Sequence, residues 1–165
     1  KAQQVAEVLP GEKIDWHFVG QLQSNKVKSV IQYAAFIHSL DRRSLLDELV
    51  KQLAKSEGRI INVFIELNLT DDQNRGGIKP ENLLEFAELV LEKPQLNLMG
   101  VMAVGSLDGE AERDFELTAL ASQKLHQIAP EAKFISAGMS GDFEQAIQYG
   151  ATHIRVGTAI TGPRQ

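Results

Sequence analysis

Short apolar runs and amphipathic segments alternate along this chain, and that alternation limits the possible folds more than any other feature. "WHFVG" (16–20), "AFIHSL" (35–40), "IINVFIELNL" (60–69), "LNLMGVMAV" (96–104), "KFISA" (133–137) and "THIRV" (152–156) read as strands. Between them, helical spacing runs over about 24–34, with Ser24 a candidate N-cap. A second helix carries Leu45, Leu46, Leu49, Val50 and Leu53, with Asp41 a candidate cap and Gly58 closing it. Pro80 opens a third that runs to about 93, and two more cover about 110–128 and 141–149. A strand–helix unit repeated in this way predicts a parallel sheet with right-handed crossovers.

Two architectures satisfy that pattern, a doubly wound open sheet and a (β/α)8 barrel. A complete barrel takes about 250 residues, whereas this sequence has 165 and six strand patterns. The opening "KAQQVAEVLP" is an amphipathic helical pattern with no initiator Met and no apolar leader. Two βα units are therefore expected before Lys1, which makes the six strands the third to the eighth. The small-residue clusters at 136–141 and 157–162 then follow strands seven and eight, where barrels hold phosphate. The expectation is an α/β, TIM-type (β/α)8 barrel lacking about its first two βα units, with residues 1–165 forming one domain.

Composition removes several classes of function. The net charge of −5 argues against a nucleic-acid surface, which needs a basic stripe. Absence of cysteine excludes disulfides and thiolate metal sites and fits a cytoplasmic protein. No apolar run reaches the ~18–20 residues of a membrane span.

The stretch "SAGMSGDFEQAIQYGATHIRVGTAITG" (136–162) concentrates small residues, hydroxyls and one cation. Its "GMSGD" turn joins a strand to a helix start, where backbone N–H groups and the dipole favour an anion. The competing reading is that Ser140 or Asp142 caps the helix. "RVGTAITG" is followed by Pro163 and Arg164, so it is not a Walker A loop, and no G-x-G-x-x-G follows a strand. In "THIRV", His153 and Arg155 alternate with Ile154 and Val156 and are expected to point inward. Arg155 then contacts a ligand or pairs with an interior carboxylate such as Glu66. His17, His38, Glu66 and Asp71 have no metal-ligand spacing, so no metal is expected. No nucleophile elbow occurs, and the sequon at Asn68 would require secretion.

"WHFVGQLQSNK" (16–26), "GVMAV" (100–104), "GMSGD" (138–142) and "IRVGTAITG" (154–162) together resemble the pyridoxal phosphate homeostasis family (the YggS/PROSC group). The resemblance implies a barrel of the alanine racemase N-terminal kind and pyridoxal 5′-phosphate (PLP) as cofactor. By that likeness Ser140 and the backbone N–H groups of Gly157 and Thr158 hold the phosphate, and Ser136 and Met139 line the same end. Arg155 faces the pyridine nitrogen, His17 and Met102 border the ring, and Asn68 is a further, weaker candidate. Ala137, Gly141 and Thr161 depart from the family pattern. The family's Schiff-base lysine is expected upstream of Lys1, and none of the ten lysines here matches it, so no catalytic residue is assigned.

An arginine at the pyridine nitrogen disfavours its protonation and weakens the ring as an electron sink. Tyr33 and Tyr149 read as helix residues, so no second base is in view. The resemblance therefore implies a protein of PLP homeostasis that carries or buffers the cofactor without strong catalysis. A PLP-dependent amino-acid racemase is the alternative. PLP-dependent apo-enzymes are implied as partners, with a monomer when complete, and neither nucleic acid nor membrane is expected.

Overall fold

The computed structural model describes residues 14–56, 58–72, 74–105 and 111–162, so the helical pattern expected at the start of the chain lies outside the described residues. Six strands form one sheet: β1 (His17–Phe18), β2 (Phe36–Leu40), β3 (Ile61–Leu67), β4 (Leu96–Ala103), β5 (Phe134–Met139) and β6 (His153–Arg155). Every neighbouring pair is parallel, and the spatial order is the chain order, β1-β2-β3-β4-β5-β6. A doubly wound sheet reverses direction at a switch point. This one never does, which removes the dinucleotide-type alternative.

The sheet also curls. Neighbouring strands lie ~4.8 Å apart, so five steps across a flat sheet would put β1 and β6 ~24 Å apart. Instead the His17 ring on β1 and the His153 ring on β6 have centroids 5.9 Å apart. The six strands thus form an arc whose concave face brings its two ends together, the half-barrel geometry that the βα repeat implied.

Helices cover the convex face, except for the short, exposed last one. They are α1 (Val27–Val30), α2 (Arg43–Leu53), α3 (Leu83–Leu91), α4 (Ala111–Ile128), α5 (Phe143–Gln148) and α6 (Thr158–Thr161). Alternation sorts β3 cleanly. Ile61, Val63, Ile65 and Leu67 join the core cluster with Leu83, Phe86, Ala87 and Val90 of α3. Phe64 and Met102 are equally buried yet stand outside that cluster, because they face the concave side.

Some local expectations shift. The helix expected over 24–34 is a 3-10 turn, Ser24–Lys26, followed by the one-turn α1, and Ser24 caps nothing. Asp41 does not cap α2, whose N-cap is Arg42. The Asp41 carboxylate is instead taken by the Arg42 guanidinium at 2.5 Å, and a carboxylate held by a cation is lost to the helix end. Among the described residues no helix is long and apolar enough to cross a membrane.

Candidate functional site

Parallel register carries one row of concave-facing residues across the sheet: Glu66 pairs with Met102, Met102 with Ser136, and Ser136 with His153. Met139 and Arg155 pair one step nearer the strand ends. Seven of the nine candidate residues therefore fall on the strands or their immediate ends: His17, Asn68, Met102, Ser136, Met139, Ser140 and Arg155.

The glycine-rich turns converge where the sequence brings two strands to their ends. Gly157 N–H donates to Ser140 Oγ at 3.2 Å, across 17 residues of chain. Neither Ser140 nor Asp142 caps α5, since its N-cap makes no side-chain hydrogen bond. Asp142 instead closes the turn by accepting from Met139 N–H while its own N–H donates to Met139 O. Gly138 makes this turn possible. Its φ is +91°, and a Cβ there would lie 2.7 Å from Ala146 Cβ. At Gly141 and Gly157 a Cβ would meet nothing within 4 Å, so open space adjoins both. A surface groove of about 540 Å³ starts at Ser140–Asp142 and follows α5 to Gln148, but Arg155, Ser136 and Met102 do not line it.

Arg155 is held from three sides. Nη1 donates to Ser136 O at 2.9 Å and to Ser136 Oγ at 3.0 Å, and Nη2 donates to Ala103 O at 2.7 Å. A guanidinium has five N–H donors, so two remain. No ion pair joins Arg155 to Glu66 among the described residues. Burial lowers the Arg155 pKa from its ordinary value, while the negative charges of Asp142 and Glu66 counter it. The structural ion pair weighed as an alternative is therefore not what fixes Arg155.

Behind Ser136 lies a polar chain that the strand patterns did not reveal. His38 Nδ1 and Ser136 Oγ are 2.8 Å apart, and His38 Nε2 and His17 Nδ1 are 2.8 Å apart. His17 stacks on Phe36 at 4.1 Å and His38 on Phe64 at 4.3 Å, while His153 packs edge-on to Phe64. Burial first, then the positive neighbours His17, His153 and Arg155, push the His38 pKa down to about 3. His17 is lowered by burial and His153, against Asp15, and His153 is lowered by burial. Mutually hydrogen-bonded and stacked rings are poor ligands, and no group among the described residues could hold a metal ion.

Glu66, expected as an interior carboxylate, is inward but not in the role weighed for it as a partner of Arg155. It is 8% exposed and its Oε2 has no hydrogen-bond partner. Burial, then the Asp41 charge, raise its pKa to about 7 despite Arg155, Arg75 and Arg42. Its place on β3 alternates with Val63, Ile65 and Leu67 of the core cluster, in keeping with the interior position expected for it.

Asn68 serves the loop. Its Nδ2 donates to Asp72 O and Arg75 O at 2.9 and 3.0 Å, and its Oδ1 accepts from Thr70 N–H and Oγ1. That uses both donors and both lone pairs of the amide, leaving nothing for a ligand. None of the six strands carries a lysine.

The family model described as "Alanine racemase, N-terminal domain" matches residues 2–165. The chain is 37% identical over 163 residues to the pyridoxal phosphate homeostasis protein of Aquifex aeolicus, covering 96% of this chain and 71% of that one. It is 38% identical over 154 residues to the protein of the same name from Escherichia coli K12, covering 92% and 65%. Among solved structures, PipY of Synechococcus elongatus PCC7942 with PLP bound superposes with a TM-score of 0.85 at 30% identity, over 97% of this chain and 75% of that one. Alanine racemase from Corynebacterium glutamicum superposes with a TM-score of 0.70 at 13% identity, over 99% and 47%, a likeness of fold alone.

Proposed function

This chain belongs to the pyridoxal phosphate homeostasis family, and from that premise we propose that it binds pyridoxal 5′-phosphate and carries or buffers it, without fast catalysis of its own. One observation supports this reading most: Ser140 Oγ and the Gly157 N–H meet at 3.2 Å beside open space, on the same strand end as Arg155.

The residues present fit the cofactor. An anion needs convergent donors and room for its oxygens. Ser140 and the Gly157–Thr158 backbone provide the first, and the missing Cβ at Gly141 and Gly157 provides the second. Met139 lies at that end, Ser136 is buried behind Arg155, and Met102 and His17 border the concave face. We read the arc as strands three to eight of a (β/α)8 barrel forming one domain.

When bound, PLP supplies an electron-accepting ring and a reactive aldehyde. Arg155, with two donors left over, would hydrogen-bond the ring nitrogen and, as a fixed cation, oppose its protonation. That mutes the electron sink. Tyr149 donates to Glu112 on the outer helix layer and Tyr33 lies beyond α1, so neither is placed on the concave face as a second base. Apo-enzymes that need PLP would be the partners, met by a monomer in the cytoplasm.

Ser140→Asp tests the reading by putting a like charge against the phosphate. PLP affinity, followed by absorbance titration, should fall at least tenfold. Unchanged affinity would place the phosphate elsewhere.

A further inference from the structure

The hydrogen bonds around Ser136 have a direction that the distances alone do not state. Arg155 can only donate, so Ser136 Oγ accepts from Nη1. The Ser136 hydroxyl proton must then go to an acceptor, and His38 Nδ1 is the one within reach, at 2.8 Å. That makes His38 the Nε2–H tautomer, which donates to His17 Nδ1 at 2.8 Å. Every donor points away from Arg155, toward the ring of His17 on β1.

We propose that Ser136, His38 and His17 form a one-way hydrogen-bond relay that positions Arg155 for its ligand, with His38 as the positioning residue. The proposal rests on the reading of Arg155 as a ligand contact. Ser136 and His38 are 0% and 2% exposed, so an unpaired atom in the relay would be costly. His38 is wedged against Phe64 at 4.3 Å, which leaves its ring little freedom to turn.

Direction makes the relay sensitive to acid at its outer end. Protonating His17 at Nδ1 sets that N–H against the His38 Nε2–H, and the clash is relieved only if His38 changes tautomer. His38 Nδ1–H then donates to Ser136 Oγ, and the serine proton is left facing the Arg155 donors. The charged and titratable groups around the relay are Asp15, His153 and Arg155. Asp15 favours a charged His17, whereas His153 and Arg155 oppose positive charge on the relay, as does burial.

Nitrogen-15 NMR of the imidazoles in the wild-type chain at pH 8 reads the tautomers directly. His38 should be the Nε2–H form and should not titrate with an ordinary midpoint near 6.5. An Nδ1–H form at pH 8, or free titration, overturns the relay. Two variants separate positioning from packing. His38→Phe keeps the stack on Phe64 but loses the acceptor, and PLP affinity should drop about tenfold. His38→Asn loses the stack but restores an acceptor near the Nδ1 position, and affinity should return to within about threefold of wild type. The reverse order, with phenylalanine the better substitute, means His38 only packs. Failure of the wild type to bind PLP at all would refute the functional reading, and the relay would then be decided by the tautomer.

Discussion

Glu66 should make this protein less stable as the pH rises through neutrality. The residue is 8% exposed, its Oε2 is unpartnered, and its pKa is raised from 4.5 to about 7, by burial first and by Asp41 second. The folded state therefore holds this proton more tightly than the unfolded chain does. The stabilisation is complete below about pH 4.5, shrinks as the pH rises, and is lost above about 7. At ~1.36 kcal/mol per pH unit the full displacement is worth about 3 kcal/mol. Residual solvent at the strand ends and the nearby arginines reduce the working figure to about 2 kcal/mol. Glu66→Gln keeps the shape and removes the titration. Urea denaturation of both proteins at pH 5 and pH 8 gives two stability differences. The variant should gain about 2 kcal/mol on the wild type between the lower and the higher pH. Other titrating groups, His38 included, are common to both proteins and cancel to first order. An equal offset at the two pH values would show that Glu66 is solvated or paired, and that the concave face is wetter than its burial implies.

Gly138→Ala should cost about 3 kcal/mol, from a left-handed backbone and from forcing α5 off β5. That corresponds to a Tm lowered by about 10 °C in calorimetry, whereas Gly141→Ala, with open space around its Cβ, should move Tm by less than about 2 °C. PLP-loaded protein incubated with L-alanine or L-serine should yield no appreciable D-enantiomer by chiral chromatography. Rapid turnover would favour the racemase alternative.

Period-two alternation exposed the sheet because each strand buries one face under helices and turns the other into the arc. On that basis His153 and Arg155 were placed inward, where the ring of His153 now meets those of His17 and Phe64. The meeting of the two glycine-rich turns was legible for a different reason: Ser140 and Gly157 lie only 17 residues apart, so composition alone marked the stretch that brings them together. The relay was not, because His38 and Ser136 are 98 residues apart and meet only when the sheet curls. Asn68, a weaker candidate by family likeness, has a local role that the sequence did not show. The long loop after β3 needs an organiser, and the amide spends all its hydrogen bonds there. Asp41 shows the same limit, since its pairing with Arg42 outcompeted the helix cap its position suggested.

A crystal structure of the protein soaked with pyridoxal 5′-phosphate tests the central claim most directly. The phosphate should sit between Ser140 Oγ and the Gly157 and Thr158 amides, with the ring nitrogen within hydrogen-bond distance of Arg155. Phosphate density in the outer groove along α5, or a ring turned away from Arg155, would contradict the account.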